Sequence, residues 1–406
     1  MSTISDPGAG NDGFRIGMLI NDTRYRSYTF QFLALLALIF GIGYLISNLL
    51  ANLAANGLNI SWAFLGEPAG YDINQRPIEY TSQSTHARAS IVGAINTLIV
   101  AFLACISATV LGIIAGVLRL SNNWIVSKLM SIYVEAFRNV PVLIWILIIF
   151  LAMSNAFPQP RDFRGDDPVA SMWFDAVAFT NRGVYIPSFV NGEGSGIFWL
   201  VVLASIVGVF AYRRYARSLL YSTGRLLPTG WPSLAILIAP GLLAFFALGQ
   251  PVSLQYPELR GFNFRDGIHL RLSLIALWFA LAIYTGAFIA ENVRAGIQAI
   301  SKGQTEAAAA LGMRPGRIMN LVILPQALRV IIPPLISQYL NITKNSSLAI
   351  AVGYMDITGT LGGITLNQTG RAIESILLLM LFYLIVSLSI SAIMNVYNNS
   401  VKLKER

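Results

Sequence analysis

The sequence predicts an all-α transmembrane protein of eight helices. Only 12% of its residues are charged and 55% are hydrophobic, whereas a soluble domain carries about 25% charged residues. Eight apolar segments are long enough, or nearly so, to cross about 30 Å of hydrocarbon as helices. In chain order they are 28–50, 90–118, 140–157, 196–212, 231–249, 272–290, 318–340 and 375–396.

Two of these segments depart from a plain apolar run. The fourth, 196–212, is short for a helix that crosses a membrane. The seventh, 318–340, contains Arg329 and three prolines, and a proline inside a helix removes a backbone hydrogen bond. A broken membrane helix is tolerated where protein or a water-filled cavity satisfies its backbone. We expect Arg329 to extend its long side chain to the inner surface.

Basic residues in the connections predict the orientation, because cytoplasmic connections carry an excess of Lys and Arg. With the N-terminus inside, the inner connections hold seventeen basic residues and the outer ones nine. The inner connection 213–230 carries four arginines and no acid. Both termini and the connection 291–317 are therefore predicted to be cytoplasmic. The net charge of +9 follows this topology and does not indicate nucleic-acid binding.

The predicted outer loops are rich in aromatic residues, which favour the membrane–water interface. These residues are Trp62, Phe64, Tyr71, Tyr80, Trp173, Phe174 and Tyr185. Short interfacial helices are expected in these loops, and a docking surface for a partner protein is the alternative.

The connection 291–317 contains an alanine-rich run that begins at Glu306. Alanine is the best helix former, and Gly312 and Pro315 end the predicted helix. Glu306 is expected in the first turn, where the helix dipole favours a negative charge. Gly312 is expected to need a positive φ or a close contact with a partner. A small helix thus precedes the apolar run that starts at Ile318.

The spacing of this run resembles the EAA motif of ABC importer permeases: Glu-Ala-Ala, three residues, Gly, nine residues, an aliphatic residue, one residue and Leu-Pro. Val322 takes the aliphatic place, which is usually Ile. The resemblance implies a coupling helix that docks into an ATPase subunit; the alternative is an ordinary amphipathic loop helix. The residues implied in coupling are Glu306, Ala307, Ala308, Leu311, Gly312 and Pro315.

Four further stretches resemble the polar amino-acid uptake branch of these permeases, and within it the general L-amino-acid permease subunits. They are 93–98, 137–141, 284–297 and 344–348. The supporting residues near these stretches are Glu135, Arg138, Pro141, Glu291 and Arg294. One departure is Arg138-Asn139-Val140-Pro141, where the branch usually has Arg-Gly-Thr-Pro.

The resemblance implies a type I ABC importer (MetI-like) core of six helices with a two-helix insertion. Compact members of the family pass almost directly from the third helix to the equivalent of Leu272. Two extra spans return the chain to the same side and preserve the topology. The predicted parts are a cytoplasmic segment 1–27, the first helix and outer loop 28–89, core parts 90–157 and 272–398, the insertion 158–271 and a cytoplasmic tail 399–406.

A polar block interrupts the apolar sequence after the seventh segment. A zwitterionic amino acid needs partners for its carboxylate and its ammonium, and charges within a membrane mark pathways. The candidates for the substrate pathway are Lys344, Asn345, Ser346, Ser347 and Glu374. Lys344 would pair with the carboxylate and Glu374 with the ammonium. The alternative is that both are simple charges at helix ends.

Two pairs of opposite charge are spaced three residues apart and therefore share a helix face. Glu135 and Arg138 precede the third helix and are expected to form an interfacial ion pair. Glu291 and Arg294 end the sixth helix and are expected to position the coupling loop, not to touch substrate.

The resemblance implies a transport subunit, not an enzyme, of an ATP-driven importer of L-amino acids in the bacterial inner membrane. The chain has no phosphate-binding Gly-Lys-Ser/Thr loop, and its two histidines are too few for a metal site. No cofactor is expected in this chain. ATP and Mg²⁺ are expected in two partner ATPase subunits. Other expected partners are a periplasmic amino-acid-binding protein, membrane lipid and a second, homologous permease, with a homodimer as the alternative to a heterodimer.

Two rival classes predict features that the sequence does not contain. A secondary transporter would need a buried coupling carboxylate, and no predicted span has one at its middle. A respiratory scaffold would need cofactor ligands, and His86 and His269 lie outside the predicted spans. Co-purification with an ATPase would distinguish the three classes.

Overall fold

The structure, a computed structural model, describes residues 18–57, 59–165 and 167–401. Eight helical segments in these ranges are long and apolar enough to cross a membrane. Each overlaps one of the segments predicted from the sequence, so the prediction of eight membrane helices is confirmed.

The second of these helices begins earlier than its apolar run. It starts at His86 because Thr85 caps it: the Thr85 Oγ1 accepts the backbone N–H of Arg88 at 3.2 Å. His86, expected outside the spans, is therefore part of the helix. It is buried, and its Nδ1 lies 3.0 Å from the Oγ1 of Thr365.

The chain divides into two compact units, Met1–Trp62 and Ala63–Arg406. In the first unit, α1 covers Met18–Asn21 and α2 covers Thr23–Ala55. The large apolar side chains of α2 are exposed along its length, with Phe40 74% exposed. A helix that is apolar on every side needs lipid or other protein around it.

The described part of the second unit is built mainly from helices. They are α3 (His86–Arg119), α4 (Trp124–Asn139), α5 (Val142–Ala156), α6 (Ser195–Thr223), α7 (Gly230–Ala247), α8 (Leu272–Gln298), α9 (Lys302–Ala310), α10 (Pro315–Ile318), α11 (Leu324–Asn345), α12 (Ile357–Gly359), α13 (Leu366–Thr369) and α14 (Ala372–Val401). Short 3₁₀ turns cover Ala63–Gly66, Pro160–Phe163 and Ser346–Val352, and π-helical turns cover Met319–Ile323 and Thr360–Thr365.

The centre of the second unit is the packed pair α3 and α8. Small residues line their contact, and small residues let membrane helices approach closely. A Cβ atom on Gly112 would lie 2.5 Å from the Cβ of Ile289, and one on Gly116 would lie 2.7 Å from the carbonyl oxygen of Ala290. Only glycine permits this approach. α4, α5 and α11 pack against α8 around the pair.

The first and second outer loops each contain one short 3₁₀ helix, Ala63–Gly66 and Pro160–Phe163, as expected, but the outer loops of the insertion also contain β-strands that were not predicted. The strands are β1 (Ala178–Thr180), β2 (Gly183–Ile186), β3 (Ser188–Asn191), β4 (Val252–Gln255), β5 (Glu258–Arg260), β6 (Asn263–Arg265) and β7 (Ile268–Arg271). β2 pairs with β1 and β7, β3 with β4, and β5 with β6, all antiparallel. Strands of three or four residues are too short for side-chain alternation to reveal them.

Antiparallel strand pairing brings the chain before α6 next to the chain after α7. β2 and β3 lead towards α6, and β4 and β7 return from α7 beside them. The backbone N–H of Leu272, the first residue of α8, donates to the carbonyl oxygen of Arg182 at 3.2 Å. The hairpin of α6 and α7 therefore begins and ends at neighbouring, paired strands.

The aromatic residues of the outer loops fall into two groups. The buried ones are Phe64, Tyr71, Tyr80 and Tyr185. The exposed ones are Trp62, Trp173 and Phe174. The buried group belongs to local cores, and only the exposed group is available to lipid or a partner.

Candidate functional site

α9 is an exposed helix held by one buried side chain. Ala308 is buried against Ile318 and Ile323, while the other residues of α9 are exposed. Gly312 follows with φ +75°, and its N–H donates to the carbonyl oxygen of Ala309 at 2.9 Å. The helix thus ends on a left-handed glycine, a common C-terminal motif. The faces of α9 that point away from Ala308 are free to bind another protein.

α11 has a polar face that the rest of the unit leaves uncovered. Its buried side packs Ala327, Ile331 and Ile342 into the core. Its other side carries residues spaced three or four apart, which share a helix face. This face runs through Gln326, Val330, Pro333, Ser337, Asn341 and Lys344, and we call its polar members Gln326, Ser337, Asn341 and Lys344 the α11 polar stripe.

The stripe differs in chemistry from the exposed face of α14. On α14 the exposed residues include Leu381, Leu384 and Leu388, as expected for contact with lipid. Polar side chains within membrane helices face protein or water-filled space rather than lipid. The α11 polar stripe is therefore expected to face a partner or water.

A tight turn follows α11. Ser346 and Ser347 donate their hydroxyl protons to the carbonyl oxygens of Thr343 and Lys344, each at 2.7 Å. The 3₁₀ turn then ends at Gly353, which has φ +69°. A cavity of about 590 Å³ lies beside this turn and is lined in part by Gly353, Tyr354 and Met355.

Asp356 is a fully buried acid in the segment after this glycine. Its Oδ1 accepts the N–H of Gly359 at 2.8 Å, while its Oδ2 has no hydrogen-bond partner among the described residues. Burial raises the pKa of Asp356 from 3.8 to about 6, against the lowering effect of the hydrogen bond from Gly359. A buried oxygen without a partner is costly, so this carboxyl is suited to a bound donor.

The Asp356 segment is fastened to α3. The Asn96 Nδ2 donates to the carbonyl oxygen of Met355 at 2.9 Å, and the hydroxyl of Tyr354 donates to the carbonyl oxygen of Asn96 at 3.0 Å. The N–H of Ile357 donates to the Oγ1 of Thr97 at 3.1 Å. These bonds fix the turn relative to the core.

An ionic cluster joins the other end of α3 to α4 and α8. The Arg119 Nη1 donates to Glu291, and its Nη2 lies 3.5 Å from the Oε1 of Glu135. Its Nε donates to the Oγ of Ser131 at 3.1 Å. Arg294 also pairs with Glu291. Glu291 and Arg294 lie near the end of α8, the helix that precedes α9 in the chain.

Comparison with known proteins places the chain in a family. Residues 108–223 and 201–403 match the model of the binding-protein-dependent transport system inner membrane component. The chain belongs to this family. It is therefore a multi-pass membrane permease, and its membrane-helix architecture agrees with the predicted fold class.

Curated relatives cover almost the whole permease. It is 52% identical, over the full length of both chains, to the glutamate/glutamine/aspartate/asparagine transport system permease protein BztB of Rhodobacter capsulatus. It is 46% identical to the putative amino-acid ABC transporter permease protein YhdX of Escherichia coli, over 94% of this chain and 95% of that one. It is 39% identical to the general L-amino acid transport system permease protein AapQ of Rhizobium johnstonii, over 97% and 96%.

The predicted coupling residues of the permease lie together on and after α9. Leu311 is 83% exposed, and Pro315 begins α10. Gly312 has the positive φ that was expected. Glu306 does not lie in the first turn: α9 begins at Lys302, with Ser301 at its N-cap. The helix starts earlier because Gly303, Gln304 and Thr305 continue it, so the dipole argument for Glu306 is wrong.

The predicted substrate residues of the permease lie on two helices and the turn between them. Lys344 and Asn345 end α11, and Ser346 and Ser347 begin the 3₁₀ turn. Glu374 is in the first turn of α14, where it is buried and 3.5 Å from Arg371. The side chain of Lys344 remains exposed.

The two predicted charge pairs have different outcomes. Glu291 and Arg294 form the pair that their spacing predicts. Glu135 instead turns to Arg119, and the guanidinium of Arg138 lies 5.4 Å from the ring centroid of Phe288. The prediction of a pair between Glu135 and Arg138 is wrong because tertiary partners compete for both. Pro141 stands at the N-cap of α5.

Sequence reasoning missed Asp356, Arg119 and the helix α4. The Asn123 Oδ1 accepts the N–H groups of Ile125 and Val126, so a cap signal for α4 was present. Asp356 follows a Gly-Tyr-Met stretch after an apolar run, and nothing local marks it as buried. Arg119 was counted only as a charge that sets the orientation.

Substitution of Glu291 in the ionic cluster is expected to destabilise the permease. The Arg119 and Glu291 side chains are 15% and 22% exposed. Loss of a hydrogen bond to a charged group costs about 1.5–3 kcal/mol. Glu291→Gln should therefore lower the thermal unfolding midpoint of the purified permease in detergent.

Glu135→Gln is the matched control, because it makes the same change to another partner of Arg119. The Glu135 side chain is 58% exposed, and exposed ion pairs contribute about 0–1 kcal/mol. Equal destabilisation by the two substitutions would contradict the assignment of Glu291 as the principal partner.

Proposed function

We propose that this permease is one half of an ATP-driven importer of L-amino acids and that the α11 polar stripe lines the route of the substrate. The names of the relatives support the substrate class, since they refer to amino-acid transport. The observation that carries the proposal is the stripe: four hydrogen-bonding side chains, interrupted by Val330 and Pro333, on a largely exposed face of α11 that leads from the α9 end of the unit to the turn before Asp356.

A second permease subunit is needed to enclose the substrate route, because the α11 polar stripe forms only one side of it. An equivalent face on a homologous subunit, or on a second copy of this chain, would enclose a water-filled space between them. That arrangement also presents two α9 helices for two ATPase subunits. Those subunits bind ATP and Mg²⁺, and a periplasmic binding protein delivers substrate at the opposite end. Both termini of the permease are then cytoplasmic.

The exposed surface of α9 supports its role as the coupling helix. Ala307, Ala309 and Ala310 are small and exposed, so a groove on the ATPase can approach the helix closely. Movement of α9 reaches the core through Ala308 and α8. Nucleotide and substrate then bias one equilibrium between inward-open and outward-open states, as coupled transport requires.

Charged side chains near the outer end of the stripe could bind both the carboxylate and the ammonium of an amino acid. Lys344 is exposed and can approach the substrate carboxylate. Glu374 remains a candidate for the ammonium, although it already has a partner in Arg371. Asp356 is the stronger candidate, because an ammonium would satisfy its unpartnered Oδ2. A charge-assisted bond of this kind is about twice as strong as a neutral one.

Cysteine accessibility tests whether the stripe faces water. Cys105 is the single cysteine of the chain and is first replaced by serine. Ser337→Cys is then treated, in the assembled importer, with a charged thiol reagent that does not enter lipid. Because the thiolate is the reactive form, a cysteine in water should react readily, and an excess of transported amino acid should slow the reaction.

Leu384→Cys on α14 is the matched control, since its side chain is exposed but apolar surroundings are expected there. It should react slowly and without protection by substrate. Equal rates at the two positions would contradict a route along the stripe. ATP-dependent uptake that accepts sugars but no amino acid would contradict the proposed substrate class.

A further inference from the structure

A basic pocket lies at the turn between α6 and α7. It is separate from the proposed substrate route along α11. The pocket has a volume of about 410 Å³ and lies where α6 turns into α7. Arg213 and Arg217 line it from α6, one helical turn apart. The remainder is lined by Ala216, Leu220, Leu226 and Leu227, with Thr229 as the one further polar residue. The site thus combines two cations with an apolar wall.

The arginines of this pocket have no acidic partner in the described parts of the chain. No ion pair involves either of them, and the segment 213–230 contains no acid. The one hydrogen bond of Arg213 goes from its Nε to the Oγ of Ser233 at 3.3 Å. This bond holds the guanidinium at the pocket and leaves its outer N–H groups available.

The surroundings of the pocket match the level of lipid headgroups. Tyr215, Tyr221 and Trp231 are 59%, 84% and 82% exposed, and such aromatic residues favour the membrane–water interface. The hairpin above them exposes leucines such as Leu203 and Leu243, which suits contact with acyl chains. The turn itself is held by the hydroxyl of Tyr212, which donates to the carbonyl oxygen of Pro228 at 2.7 Å.

We propose that this pocket binds the phosphate headgroup of an anionic phospholipid. Arg213 and Arg217 contact the phosphate, and an acyl chain lies along Leu226 and Leu227. Basic pockets between membrane helices bind anionic headgroups in this way. A free phosphate ion would use the same arginines, but it would leave the leucines of the pocket wall without a partner.

Native mass spectrometry of the importer in detergent tests the proposal. The complex is exchanged into phosphatidylglycerol or phosphatidylcholine and then washed. We expect retained phosphatidylglycerol and little phosphatidylcholine. Arg213→Gln with Arg217→Gln should lower the retained phosphatidylglycerol by at least about tenfold, since each basic residue contributes about fivefold to binding at an anionic surface.

Arg214→Gln with Arg225→Gln is the matched control. It removes the same charge from the same connection, and neither residue lines the pocket. General attraction between lipid and a basic loop would lower retention equally in the two double variants, and that result would overturn the proposal. Arg217→Gln alone, which leaves the bond to Ser233 intact, should still lower retention about fivefold.

Two further outcomes would also overturn it. Equal retention of phosphatidylcholine would show that the headgroup charge does not matter. Displacement of phosphatidylglycerol by an excess of inorganic phosphate would show a site for a soluble anion.

Discussion

Gly312→Val is expected to lower amino-acid uptake about tenfold while leaving membrane insertion intact. Gly312 has φ +75°, and a left-handed backbone costs a residue with a Cβ about 1–2 kcal/mol. Every 1.4 kcal/mol changes an equilibrium about tenfold. A Cβ on Gly312 would meet no atom of this chain within 4 Å, so the effect should arise from the backbone and from the proposed contact of α9 with an ATPase.

Gly303→Val is the matched control for this prediction. Gly303 is also exposed in α9, has an ordinary helical φ, and its Cβ would meet no atom within 4 Å. Valine is a better helix former than glycine, so this variant should keep its ATPase through purification and transport normally. A Gly312→Val complex that keeps its ATPase and transports at the normal rate would contradict the assignment of α9 as the coupling helix.

Asp356→Asn is expected to stabilise the permease and to impair its function. The raised pKa of Asp356, about 6 against an ordinary 3.8, means that the folded state holds a proton which the unfolded state loses between those values. Stability therefore falls as the pH rises from about 4 to about 6 and is constant above that. At 1.36 kcal/mol for each unit, the ionised carboxyl costs about 3 kcal/mol.

Asparagine removes this cost, so the unfolding midpoint of the variant should rise at pH 7.5 and lose its dependence on pH between 4 and 6. Uptake should fall at the same time, with a KM about tenfold higher, because a bond to a charged group contributes about 1.5–3 kcal/mol. Increased stability with reduced activity is typical of a functional site that is strained for its task.

Asp72→Asn serves as the control for both measurements. Its side chain is 64% exposed and lies 3.7 Å from Arg76, so stability and uptake should change little. A pH profile of Asp356→Asn that retains the slope of the parent permease would contradict the assignment. Normal KM in that variant would remove Asp356 from the proposed substrate contacts and leave Glu374.

The membrane helices were predictable because each depends on a single local property. An apolar run of sufficient length is stable in lipid as an α-helix, because all of its backbone groups are then hydrogen-bonded within the helix. The left-handed glycine after α9 was predictable for the same reason, since Gly312 and Pro315 act on their immediate neighbours. Residue types alone could therefore locate α9 and its end.

The remaining features depend on contacts between distant parts of the chain. Arg119 and Glu291 are 172 positions apart, and no spacing rule connects them. β2 and β7 pair across the whole α6–α7 hairpin, although each strand is only four residues long. The burial of Asp356 follows from the way α3 packs against its segment. Such packing cannot be predicted from the residues that neighbour each position in the sequence.

α3 is attached by hydrogen bonds at both of its ends to other parts of the permease. At one end Arg119 bonds to Glu291 near the end of α8, and at the other Asn96 and Thr97 bond to the segment that holds Asp356. About 35 Å of helix lies between these attachments, at 1.5 Å per residue. The close glycine contacts with α8 favour movement of α3 and α8 as one body, and we expect the proposed movement of α9 to reach the Asp356 turn along them.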